Sequence, residues 1–138
     1  MRGWICARRN EQQMGKRIPA KKTATVIERD GGLCFLRIAK DSLGEATVAD
    51  HRANRGNGGA NSLDGYSNLL AACTLCNGFK ESGANRGELL ARGVRVQSDS
   101  THEKTAIRAL NTPVVDVNGR TWWLDNTGLR HDRQPQPY

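Results

Sequence analysis

Between Asp50 and Lys80 the chain reads DHRANRGNGGANSLDGYSNLLAACTLCNGFK. The segment contains an adjacent Asp50-His51, a Gly58-Gly59 loop, Asn68-Leu69, and then Cys73-x-x-Cys76-Asn77 followed by Lys80. A carboxylate is a hard oxygen ligand for a divalent cation. An imidazole titrates near neutrality and can take a proton from water. A side-chain amide can fix a loop by hydrogen bonds, and a lysine can meet a phosphate as a point charge. This order suits a hydrolytic metal site held against phosphate. Each piece alone has an ordinary explanation. An Asp-His pair is usually surface polarity, Asn68 is a natural helix N-cap, and Asn77 near a helix end can cap it. The order and spacing of the whole set carry the argument.

The elements that must position these residues follow from patterning. Thr23 to Asp30 predicts a short helix that stops at Gly31-Gly32. Leu33 to Ile38 predicts a strand or a knuckle leading into a turn, and Ala46 to His51 a strand that delivers Asp50 and His51. Arg52 to Ser67 is rich in Gly and Asn and reads as loop. Such a long loop in a compact domain usually serves function. Helical spacing of Leu69, Ala72, Cys73 and Cys76 predicts a helix from Asn68 to Phe79. Further helices are expected at Asn85 to Arg92 and Thr101 to Leu110, with a strand at Val94 to Gln97. Pro113 to Val117, Asn118-Gly119 and Arg120 to Leu124 read as a hairpin with a type I′ turn.

The chain has 138 residues and a formal net charge of +7, with a hydrophobic fraction of 37% and only 5% aromatic. That is one domain with a thin core, the kind of small fold that often relies on a metal or a disulfide. The basic balance points to a polyanion, with nucleic acid ahead of an acidic membrane. Residues 1–22 hold Arg8, Arg9, Lys16, Arg17, Lys21 and Lys22 and read as a basic arm, residues 23–130 as the single domain, and 131–138 as a frayed tail. No apolar run suggests a signal or a membrane span, so the expected setting is cytoplasmic and reducing. There a C-x-x-C favours metal or redox chemistry over a disulfide framework.

Strand with Asp-His, Gly-Gly loop, Asn-Leu, and helix with C-x-x-C-Asn-x-x-Lys resembles the HNH endonuclease family, over Thr23 to Ser82. The Arg55-Gly-Asn-Gly-Gly59 loop and the Trp-Trp hairpin are similar to the small HNH proteins of bacteriophages and prophages. The resemblance implies an α+β chain with a small ββα-metal core, flanking short helices and a C-terminal β-hairpin. It implies metal-dependent hydrolysis of DNA phosphodiester bonds, by nicking or double-strand cleavage. His51 would be the general base and Asn68 would hold the loop so that His51 faces the scissile phosphate. Asp50 and Asn77 would bind one divalent cation, Mg or Mn with Zn or Ni as alternatives. Arg52, Arg55 and Lys80 would contact the backbone of double-stranded DNA. In phages the resemblance also suggests work beside the packaging terminase, in the host cytoplasm. Neither target sequence nor oligomeric state follows from it.

Many members of that family carry two C-x-x-C knuckles around a structural zinc. Cys73 and Cys76 match the second knuckle and Cys34 the start of the first, but Arg37 stands at the fourth position and cannot bind zinc. A closed structural site takes four ligands. Three readings stay open: zinc completed by Cys6 or water, a degenerate site without metal, or buried free thiols. Two rivals come from other classes: a non-catalytic DNA-binding or packaging-accessory module on the same core, and a zinc-ribbon-like domain that binds protein.

Overall fold

The computed structural model describes residues 18–55 and 61–135. Helix α1 spans Ala20–Arg29, so Lys21 and Lys22 belong to a helix that starts earlier than expected. It ends where Gly31 and Gly32 take positive φ angles of 74° and 76°. Their amides donate back to Glu28 and Ile27 carbonyls and satisfy the last turn.

Strand β1, Val48–His51, pairs antiparallel with β2, Leu69–Ala72, in the register Val48–Ala72 to His51–Leu69. The expected helix from Asn68 to Phe79 is therefore corrected: its first part is a strand. All four residues of β2 are buried, and they alternate between two clusters. Leu69 and Ala71 meet Val26 of α1. Leu70 and Ala72 face the main core with Cys34, Leu36, Cys73, Cys76, Leu89 and Val94. This is the period-2 alternation of a sheet covered on both sides.

Helix α2 follows at once, Thr74–Glu81, with Cys73 as N-cap: its sulfur accepts the Cys76 amide at 3.4 Å. Two short 3₁₀ turns, Asn61–Asp64 and Tyr66–Asn68, occupy the end of the long β1–β2 connection. Helix α3, Arg86–Ala91, puts Leu89 into the main core, while α4, His102–Leu110, packs on the two 3₁₀ turns and is capped by the Thr101 hydroxyl. Leu33 to Ile38 forms a turn with a single bridge from Leu33 to Glu45, not a strand. Val94 to Gln97 is also not a strand; Val94 and Val96 are buried without pairing. Gly93, at φ 72°, lies so close to the Pro113 carbonyl that a Cβ would sit 1.9 Å from its oxygen, so only glycine fits.

The C-terminal sheet has three strands, β3 Val114–Val115, β4 Thr121–Leu124 and β5 Arg130–His131, in that order and antiparallel. Its first turn is not type I′. Only Gly119 of the Asn-Gly pair has positive φ, and the Asp116 carboxylate accepts the Asn118 and Arg120 amides at 2.9 Å each. The aspartate replaces the left-handed asparagine with side-chain hydrogen bonds. The third strand runs from the last residue of the expected domain into the first of the expected tail, where His131 Nε2 meets Asp125 Oδ2 at 2.6 Å. No described helix is long and apolar enough to cross a membrane.

Candidate active site

Successive residues of a strand point to opposite faces. Asp50 and His51, adjacent at the end of β1, therefore serve different surroundings. Asp50 lies opposite Leu70 and is 2% exposed. Its Oδ2 accepts from the Lys80 ammonium of α2 at 2.5 Å. Lys80 Nζ also donates to the His51 carbonyl at 2.7 Å, so one buried cation ties the helix to the strand end. Burial pushes the Asp50 carboxyl up to about 6, with Lys80 opposing the shift. The same burial lowers the Lys80 ammonium, with Asp50 opposing it.

His51 lies on the other face. Its Nε2 meets Asp64 Oδ1 at 2.8 Å. Arg55 Nη1 reaches the same carboxylate at 3.2 and 3.4 Å. Lys22 Nζ donates to the Asp64 carbonyl at 2.7 Å. A carboxylate only accepts, so Asp64 selects the tautomer in which Nε2 carries the proton and Nδ1 is the free base. Burial lowers the His51 pKa below its ordinary 6.5, and the bond to Asp64 opposes that only in part. The ring is therefore neutral at pH 7, in the form a general base requires.

Asn68 is 1% exposed and uses its amide fully. Its Oδ1 accepts the Ala53 amide at 2.9 Å, and Nδ2 donates to the carbonyls of Ala53 and Leu63 at 3.0 and 2.9 Å. Both ends of the loop between His51 and Asp64 are thus fastened to one side chain. Residues 56–60, including Gly58-Gly59, lie outside the described residues. Asn77 is half-buried one turn before Lys80 and its side chain makes no hydrogen bond among the described residues.

Two expected phosphate contacts do not fit their surroundings. Arg52 is 1% exposed and spends its guanidinium on four carbonyls: Gly93 at 2.8 Å, Ser67 at 2.7 Å, Ala109 at 2.8 Å and Thr112 at 2.6 Å. It joins four chain segments from the inside. Lys80, also 1% exposed, is held by Asp50. Arg55 stays at the partly open side, beside Asp64. Asp64 is the residue that sequence reasoning missed, because nothing in a Gly- and Asn-rich loop marks one aspartate as the partner of His51. Arg95 was missed as well; its Nη2 donates to the Lys80 carbonyl at 2.9 Å, and its charge acts on Asp50 and Lys80.

At the N-terminal end of α2, Cys34, Cys73 and Cys76 are all buried, with their sulfurs within 4.8 Å of one another. This group could hold a metal ion. Thiolates around one zinc at about 2.3 Å stand roughly 3.8 Å apart, so small side-chain rotations suffice. The surrounding backbone already points donors at sulfur: Arg37 N to Cys34 at 3.5 Å, Ala39 N to Cys76 at 3.5 Å, Cys76 N to Cys73 at 3.4 Å. The Ser42 hydroxyl lies 3.7 Å from Cys73 Sγ. Burial raises the Cys73 thiol, but the Cys76 and Leu43 amides and the Ser42 hydroxyl outweigh it and bring Cys73 to about 6. Cys34, with fewer donors against burial, is raised. Arg37 turns through a left-handed conformation at φ 45°, and Cys6 lies outside the described residues.

No protein-family model matches the chain, and comparison with curated proteins and with solved structures finds no match.

Proposed function

We propose that this chain is a metal-dependent endonuclease of the HNH type, acting on double-stranded DNA. One observation carries the reading: a half-buried His51 at the end of the first strand of a β-β-α unit, its ring fixed by Asp64 and its loop fastened by Asn68. In hydrolysis, His51 Nδ1 takes a proton from a water as the water oxygen bonds to phosphorus. The P–O bond to the leaving sugar oxygen breaks, and that oxygen is protonated from solvent. Asp64 keeps the ring oriented and stabilises the imidazolium. Arg55, partly exposed and paired with the same Asp64, would contact the DNA backbone.

By donor chemistry, Asp50 and Asn77 would hold a divalent cation. Asp50 keeps one carboxylate oxygen beyond the Lys80 bond, and the Asn77 amide on α2 is without a partner among the described residues. Two hard oxygens, completed by water, match the habits of magnesium or manganese. Such an ion would neutralise charge developing on the phosphate and leaving oxygen. Asp50 and Asn77 would hold it.

Plasmid cleavage with Mg²⁺, Mn²⁺ or a chelator tests the reading. Metal-dependent conversion of supercoiled plasmid to open-circle or linear DNA is expected, and well-folded protein that leaves plasmid intact with every metal would defeat it. The rate should also depend on pH through His51. Its lowered pKa means that cleavage climbs as pH rises, with a midpoint below 6.5, and levels off by neutrality. A midpoint at or above 7 would remove His51 from the base role. The stability linkage has the same sign: the unfolded chain binds the His51 proton more tightly, so its contribution is present above 6.5 and lost as pH falls through the folded value.

A second reading is favoured by one contact. The Lys80 ammonium already neutralises Asp50, as it would in a non-catalytic DNA-binding or packaging-accessory module. DNA binding without cleavage would select it.

The cysteine cluster is proposed as a structural zinc site with three thiolates and a fourth ligand from Cys6 or water. One zinc per chain by elemental analysis is expected. Stripping it should cost about 3 kcal/mol, seen as a melting temperature roughly 10 °C lower. Purified protein with no zinc and an unchanged melting curve would leave three buried thiols.

A further inference from the structure

The C-terminal sheet carries a second cationic feature, separate from His51 and Asp50. Residues two apart on a strand, and residues directly opposite on its neighbour, share a face. Arg120, Trp122 and Leu124 follow that spacing, and Leu124 pairs with Arg130. Leu124 turns into the core at 2% exposed, which leaves Trp122 at the rim. The Arg130 guanidinium lies 3.9 Å from the centre of the Trp122 ring, and the Arg120 guanidinium 4.2 Å from it. The indole itself is fixed: its Nε1 donates to Asp116 Oδ2 at 3.1 Å, and Asp116 Oδ1 is held by the hairpin amides.

Neither guanidinium side chain makes a hydrogen bond to another described residue. Stacking on an indole holds a guanidinium plane without consuming its N–H donors. Two such groups, oriented in advance, suit a ligand that presents repeated anionic acceptors. The sheet is also fastened to the site. Asn126 Oδ1, in the β4–β5 turn, accepts both the amide and the hydroxyl of Ser67, at 3.1 and 2.8 Å, next to Asn68. The sheet is thereby braced against the segment that carries Asn68.

We infer that Arg120 and Arg130, stacked on Trp122, form a second contact for the sugar–phosphate backbone of nucleic acid, beyond the stretch held at His51. The inference rests on the DNA reading above, and the experiment separates their failures. Anisotropy of a fluorescein-labelled duplex is measured over a salt series without added divalent cation. The proteins are wild type, Arg120→Gln, Arg130→Gln and the double Gln variant. Each phosphate contact contributes about 0.9 to the slope of log affinity against log salt. Each single variant should therefore lower the slope by about 0.9 and the double by about 1.8. Over a fourfold rise in salt, wild type then loses about tenfold more affinity than the double variant. Because the two single variants are read separately, one that fails to fold leaves the other to decide. Wild-type slope and affinity in the folded variants would overturn the inference and leave the DNA reading standing. No wild-type binding at low salt would overturn both. Displacement by polyglutamate as effective, charge for charge, as by unlabelled duplex would overturn the nucleic-acid assignment in favour of an acidic protein.

Discussion

His51→Ala is expected to lower metal-dependent plasmid cleavage by roughly a hundred- to ten-thousand-fold, the range that a positioned general base contributes. Melting temperature and duplex affinity should stay near wild type, because the ring lies at the edge of the sheet and bonds only Asp64 among the described residues. Asp64→Asn sharpens the test. An asparagine can present its amide N–H to Nε2 and favour the tautomer that protonates Nδ1, the wrong one for a base. A loss on the order of tenfold or more, with an unchanged fold, is expected. Full cleavage in His51→Ala would end the mechanism. Full cleavage in Asp64→Asn alone would leave His51 as the base and remove its partner from the account.

The second large effect is on stability. Arg52→Met keeps much of the side chain's apolar length but supplies no donors to the carbonyls of Gly93, Ser67, Ala109 and Thr112. Buried acceptors left without donors cost about 1–3 kcal/mol each before relaxation and water entry. A net loss of about 3–5 kcal/mol is expected, a large part of the roughly 5–15 kcal/mol that holds a domain together. Thermal denaturation followed by circular dichroism should show a melting temperature lower by more than about 10 °C. If Arg52 instead served as a surface phosphate contact, Arg52→Met would melt within a few degrees of wild type and bind DNA more weakly. That pattern would contradict the buried geometry.

Much of the frame was readable from the residues, and the misses have physical causes. The Gly31-Gly32 stop, the strand ending in Asp50-His51 and the Trp-Trp hairpin each follow from local signals that tertiary packing does not override. Leu69 to Ala72 misled because four apolar residues in a row fit a strand or a helix equally, and only the unseen pairing with β1 decides. Arg52 and Lys80 misled because a basic side chain looks the same in sequence whether it meets solvent or a cage of carbonyls. Asp64 was hidden because its meeting with His51 depends on how a 12-residue interval folds back. The Cys73-x-x-Cys76 pair, by contrast, was visible from spacing, and the resemblance implied Cys34 beside it, where the structure places it.

Ser67 gives the site a place in time. Its carbonyl is held by Arg52, and its amide and hydroxyl by Asn126, 59 residues downstream. During synthesis the segment that carries Asn68 thus waits for partners the ribosome has not yet released. Contacts so distant in sequence form late and slowly. A chain cut or stalled before Asn126 would own every residue from Asp50 to Lys80 and still lack the tie that braces them. On the nuclease reading proposed above, the site would stay unbraced until Asn126 had left the ribosome.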